Sequence, residues 1–173
     1  MIRPGSRLGD VPPLAETPWH AFARQAQLAV VLDLDSGDVP LSTSSDDTLD
    51  RALLLLFGAL HSARVQVAVI CRRPPVLRAA LRDQAPTVWW FDDPRSALAS
   101  LRERLPGVHL VVIGGDGHVD GLREGLDMGL AVRAKGSGSS RARIVLQGAT
   151  AVRAMLWWLV TLRSGSAAAE RRG

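Results

Sequence analysis

Apolar residues along this chain fall into continuous runs of strand length, separated by stretches with helical spacing. Leu28-Ala-Val-Val-Leu runs into Asp33-Leu-Asp35, and Val65 to Cys71, Thr87 to Phe91 and Val108 to Ile113 repeat the pattern. A continuous apolar run bounded by turn residues reads as a strand buried on both faces of a parallel sheet. Between these runs the period changes. Leu49, Leu53, Leu56 and Leu60 recur at helical spacing behind Ser45-Asp-Asp-Thr, whose small polar residues suit a helix start. Asp38 to Ser45 reads as a loop, Pro74-Pro75 start a helix to about Gln84, and Pro94 to Leu105 form another, closed by Pro106-Gly107. A short helix is expected around Trp19 to Gln27 and another over Val119 to Met128. Gly129 to Arg133 reads as a fifth strand, Arg143 to Leu146 as a small edge strand, and Gln147 to Leu162 as the last helix. Strands alternating with helices of this length predict an α/β fold with a doubly wound parallel sheet. The expected organisation is a leader over 1–27, a core over 28–163 and a frayed tail over 164–173.

Composition narrows the class. At 173 residues the chain is most simply one domain, with 47% apolar residues for its core. Charged residues at 22% exclude a disordered chain. No apolar run is long enough to cross a bilayer, and Met1-Ile-Arg-Pro-Gly lacks the apolar stretch of a signal peptide. The one cysteine, Cys71, has no internal partner, so a reducing cytoplasm is the expected setting. The net charge is +4, carried almost entirely by arginine, with Lys135 the sole lysine. The arginines are dispersed with no dense stripe, so neither nucleic acid nor a membrane is an expected partner.

The chemistry sits at strand ends. Asp33 and Asp35, two apart at the carboxyl end of a parallel strand, point the same way, into the crevice where α/β proteins bind ligands. One carboxylate can attack phosphorus or hold Mg²⁺, and the other can protonate a leaving group. Read blandly, the same residues make a solvated turn, where Asp, Ser and Gly are common. Other constellations fail. Cys71 as a phosphatase nucleophile needs an arginine six residues on, where Leu77 stands. Asp116-Gly-His-Val-Asp120-Gly begins like a calcium loop but follows a strand and ends in Asp127. Gly115-Asp-Gly117 lacks the third glycine of a dinucleotide fingerprint, and His118 has no visible ligand set. Adjacent Trp89 and Trp90 must face opposite sides of a strand. Trp157 and Trp158 place one indole near the surface, which suits core packing or a homo-oligomer contact.

Four strand-end stretches occur in order: Asp33-Leu-Asp35, Cys71-Arg-Arg-Pro74, Asp92-Asp93-Pro94-Arg95 and Gly114-Gly-Asp116. This order resembles the haloacid-dehalogenase-like phosphohydrolases, and more narrowly their trehalose-6-phosphate phosphatase branch. Val67 to Pro74 and Val112 to Asp120 carry the match, with Gly129 to Arg133 and Ala151 to Leu156 resembling that family's tail. The resemblance covers roughly Leu28 to Leu162 and implies a Rossmann-like core. It implies Asp33 as nucleophile, Asp35 as general acid and base, and Mg²⁺ held by Asp33, Asp35 and Asp116. It further implies phosphate binding by Cys71, Arg72 and Arg73, whose arginine forks suit phosphate. The substrate would be a phosphorylated small molecule.

The departures are specific. Cys71 stands where the family has a hydroxyl, and a thiol is a weak donor. Asp93 stands at the family's lysine, Gly115 at the first metal-binding acid, Ser36 and Gly37 at the Gly-Thr after the nucleophile, and His118 and Val119 at a Thr and an Asp. Losing a cation at a transferring phosphoryl group costs about 3 kcal/mol or more, roughly a hundredfold in rate. The trehalose branch also carries a cap domain between its second and third motifs, and here only one helix and one strand separate Cys71 from Asp93. An open mouth excludes water poorly. Two functions follow as expectations: an impaired Mg²⁺-dependent phosphohydrolase domain, or a non-catalytic pseudophosphatase that binds a protein partner, such as a trehalose-synthesising enzyme. Asp33, Asp35 and Asp116 converging within coordination distance would mark retained chemistry. An arginine salt bridge plugging the site would mark its loss.

Overall fold

The computed structural model describes residues 18–34, 43–45, 48–114, 129–133, 144–145 and 148–170. The expected helix over Val119 to Met128 lies outside them. Helix α1 (Pro18–Ala23) leads into β1 (Leu28–Asp33), then β2 (Thr43–Ser45), β3 (Thr48–Leu49), α2 (Arg51–Ser62) and β4 (Val65–Ile70). Helix α3 (Pro75–Gln84), β5 (Trp89–Phe91), α4 (Pro94–Arg104) and β6 (His109–Gly114) follow. Then come β7 (Gly129–Arg133), β8 (Ile144–Val145) and α5 (Gly148–Glu170).

Six strands make one sheet in the order β5-β4-β1-β6-β7-β8, every pair parallel. From β1 the chain steps outward through β4 to β5. It then returns to the far side of β1 with β6 and continues to β7 and β8. The topological switch point therefore lies between β1 and β6, whose pairing aligns Leu32 with Ile113.

Every residue of β1 is buried, as a continuous apolar run requires. Alternation sorts the side chains into two cores. Val30, Leu32, Val67 and Val69 face α2 and α5, where Leu53, Leu56, Phe57, Leu60, Leu156 and Leu159 pack on them. Ala29, Val31, Ala68 and Ile70 face α4, against Ala97, Leu98 and Leu101. Trp89 and Trp90 divide between the two cores, as adjacent strand residues must. On α5, Trp157 is exposed, while Trp158 packs on the first core and meets the His20 ring edge-on at 5.5 Å.

Three boundaries differ from the sequence expectation. Thr43 to Leu49 holds a short antiparallel ribbon where a loop and a helix start were expected. Helix α2 begins later, because Asp50 rather than Ser45 supplies the cap: its Oδ1 accepts from the Ala52 amide at 3.1 Å. Asp50 Oδ2 also meets Arg153 Nη2 at 2.7 Å, tying the start of α2 to α5. The last helix continues past Leu162 to Glu170, through the segment expected to fray. Ala167, Ala168 and Ala169 are strong helix formers and outweigh Ser164, Gly165 and Ser166.

Asp93 caps α4. Its carboxylate accepts from the Ser96 amide at 2.9 Å and from the Ser96 hydroxyl. These two hydrogen bonds hold its pKa below the ordinary carboxylate value. A depressed folded-state pKa stabilises above the unfolded value, and that stabilisation fades as pH falls through the folded one. Asp93→Ala is therefore expected to cost about 1 kcal/mol at neutral pH. The difference from wild type should shrink below about pH 4. Urea melts across that range measure it, and a pH-independent difference would mean the cap is not the cause.

Candidate active site

The site is built at the carboxyl end of β1. Alternation along β1 places Asp33 on the same face as Ala29 and Val31, toward the α4 side, while Leu34 turns into the first core. Asp33 is 2% exposed and is the buried charged residue among those described. A carboxylate is not placed there for burial energy, since desolvating it is costly unless partners compensate.

Its partner comes from the adjacent strand. Asp33 pairs in register with Ile70, and the Leu34 amide donates to the Ile70 carbonyl at 3.0 Å, so the two strand ends are fixed side by side. Two residues beyond Ile70, Arg72 Nη2 lies 3.5 Å from Asp33 Oδ2. That is the long limit of a hydrogen bond but close for a charge pair. The Arg72 side chain is 39% exposed, so the guanidinium spans from the buried carboxylate to water. The bridge expected to argue against retained chemistry is thus present, in a long, water-facing form.

Cys71 is fully buried in the first core with Leu34, and its amide donates to the Phe91 carbonyl at 2.8 Å, locking β4 to β5. It behaves as a small apolar residue at a strand end. Arg73 is half-buried beside it. Asp93, at the place of the family's lysine, is taken up by capping α4. Asp35 and Asp116 lie outside the described residues; β6, which leads toward Asp116, is nevertheless the neighbour of β1. The structure therefore brings together Asp33 and Arg72, and it sends the Cys71 side chain into the core.

The chemistry of the donor set bears on Mg²⁺. Asp33 offers carboxylate oxygens at the switch point, the ligand type that Mg²⁺ takes. Among the described residues no cluster of three metal-ligating side chains occurs, Asp33 being the one expected ligand within them. Arg72 competes for the same oxygen. No helix among the described residues is long and apolar enough to cross a membrane.

Between β4 and β6 the chain holds only α3, β5 and α4, so no cap domain is inserted there. No protein-family model matches the sequence, and no curated protein matches it. Solved structures do match in fold. One is the 3-deoxy-D-manno-octulosonate 8-phosphate phosphatase of Moraxella catarrhalis, in complex with magnesium ion, phosphate ion and KDO. It is 18% identical with a TM-score of 0.60, over 88% of this chain and 96% of that one. A hypothetical protein from Xanthomonas campestris is 16% identical with a TM-score of 0.64, over 98% of each chain. The cobalt-bound deoxy-D-mannose-octulosonate 8-phosphate phosphatase of Haemophilus influenzae is 19% identical with a TM-score of 0.52, over 79% of this chain and 88% of that one. The chain thus has a Rossmann-like α/β fold that matches the folds of these phosphatases, with no cap domain among the described residues.

Proposed function

We propose that this chain is a Mg²⁺-binding phosphohydrolase domain of haloacid-dehalogenase type that takes a phosphorylated small molecule and turns it over slowly. The observation that carries this reading is Asp33: a buried carboxylate at the carboxyl end of the central strand, at the switch point, with Arg72 reaching it from the next strand. A buried carboxylate beside a water-accessible guanidinium can attack a phosphoryl group while the arginine fork takes the phosphate oxygens. Bound Mg²⁺ supplies charge neutralisation, and Asp33 would hold it with Asp35 and Asp116. Slow turnover follows from Asp93, which puts an anion on the α4 cap where the motif order of the family the sequence resembles has a lysine.

The lack of a cap domain between β4 and β6 does not argue against a sugar substrate. The Moraxella phosphatase is spanned almost end to end by this chain, and its structure holds phosphate and a sugar acid. That supports a phosphorylated sugar or sugar acid as the substrate class. Trehalose 6-phosphate is the narrower candidate from the motif order.

A second reading, a non-catalytic pseudophosphatase that binds a protein partner, is favoured by the Arg72–Asp33 bridge. Calorimetry with Mg²⁺ separates the two. The proposal expects millimolar or tighter binding that Asp33→Asn and Asp116→Asn each abolish, with hydrolysis in a screen of sugar phosphates. No Mg²⁺ binding and no hydrolysis would overturn it and leave the pseudophosphatase.

A further inference from the structure

Away from Asp33, a cavity of about 330 Å³ opens between α3 and the edge strand β5. Pro75, Arg78 and Arg82 line it from the helix, and Trp90, Phe91 and Asp92 from the strand and its end. Arg78 and Arg82 are four residues apart, so their side chains lie one above the other on a single helix face. Two guanidinium groups thus share a wall with one carboxylate.

The cations are not consumed by structure. Arg78 lies 3.6 Å from Asp92, whose side chain is 68% exposed, and so exposed a pair is weak in water. Arg82 is exposed and has no ion pair among the described residues. The indole Nε1 of Trp90 is buried without a hydrogen-bond partner. An arginine pair, one member without an ion pair among the described residues and the other in a weak one, beside an indole is the chemistry that holds an oxyanion attached to a flat body, since planar guanidinium groups fork onto oxyanions and rings stack on rings. The volume sits at the low end of ligand pockets, which run from about 300 Å³ upward, so the occupant is small.

We propose that this cavity is a second ligand site, taking a small molecule that carries a phosphate or carboxylate on a ring. The oxyanion sits between Arg78 and Arg82, and the ring lies against the Trp90 indole. Arg78 exchanges Asp92 for the ligand. This assignment is independent of the chemistry proposed at Asp33.

The test is titration of the full chain with phenyl phosphate and with benzoate, followed by the indole N–H resonance of Trp90, identified by its loss in Trp90→Phe. Saturable shifts with at least one probe are expected. Arg82→Gln and Arg78→Gln should each weaken binding about tenfold or more, while Asp33→Asn leaves it unchanged. Arg82 is exposed and Arg78 half-buried, and unchanged melting temperatures confirm that the variants fold. Shifts lost in Asp33→Asn but kept in Arg82→Gln would place the anion at the first site only and overturn the proposal. Absence of any shift at millimolar probe would do the same. A shift produced by an acidic peptide and by neither probe would mean strand addition along β5, and would also overturn it.

Discussion

Arg163→Met is expected to destabilise the fold by about 3 kcal/mol, among the larger single-residue effects. Arg163, on α5, donates from Nε to the Ala63 carbonyl at 2.8 Å and from Nη1 to the carbonyls of Ala23 and Gln25 at 2.9 and 2.8 Å. Nη2 reaches the Arg64 carbonyl at 3.4 Å. One guanidinium thus pins the end of α1, the turn from α2 into β4 and the last helix together. The turn needs that support, because Arg64 adopts φ 59°, a left-handed conformation that side chains disfavour. Burial, with Arg64's charge as a lesser cause, lowers the Arg163 pKa from its ordinary value, but an arginine stays protonated at neutral pH. Methionine keeps the stem and strips the carbonyls of their donor, and each carbonyl left without a partner costs about 1–3 kcal/mol when fully dry. Partial access of water reduces the sum. A chain of this size loses roughly 2–4 °C of melting temperature per kcal/mol, so a fall near 10 °C is expected in calorimetry. Arg163→Lys should recover less than half, because an ammonium does not span three carbonyls in fork geometry. A loss below 1 kcal/mol in Arg163→Met would mean that packing alone docks α5.

That clamp shows where sequence reading stops. The four main strands, the proline-started helices and the split of Trp89 from Trp90 are legible, because each depends on local period and local breakers. Arg163 is not, because its partners lie from 99 to 140 residues away. The ribbon over 43–49 is also hidden: strands of three and two residues, all Ser and Thr but for Leu49, are too short to show hydrophobic alternation. Its anchor is tertiary, the Leu49 amide donating to the Gln84 side chain on α3 at 2.9 Å. Asp50 as the cap of α2 is visible as a residue type, but four other capping residues, Ser45 to Thr48, precede it. At the site, Asp33 is legible from its place at the end of an apolar run. The pairing with Arg72 is not, because it needs β1 and β4 side by side in a particular register. The cavity on α3 arises the same way, from a helix face and an edge strand that only the fold brings together.

The same register sets the largest functional effect, which falls on Asp33→Asn. A carboxamide has no anionic oxygen to attack phosphorus, so hydrolysis of any sugar phosphate the chain accepts should drop about a thousandfold or more, roughly 4 kcal/mol in the barrier. Stability should move the other way or hardly at all. Breaking a buried ion pair is usually costly because the remaining charge is stranded. Here the remaining charge is Arg72, and at 39% exposure its guanidinium is reached by water. The group whose desolvation the fold must bear is Asp33, and an amide of the same shape removes that burden while keeping hydrogen-bonding capacity. The melting temperature is therefore expected to hold or rise by a few degrees while turnover collapses, the pattern of a residue kept for chemistry at the expense of stability. Paired melting curves and rates on one preparation decide it. A variant that loses several kcal/mol of stability would make Asp33 a structural partner of Arg72. One that hydrolyses at the native rate would remove it from the reaction altogether.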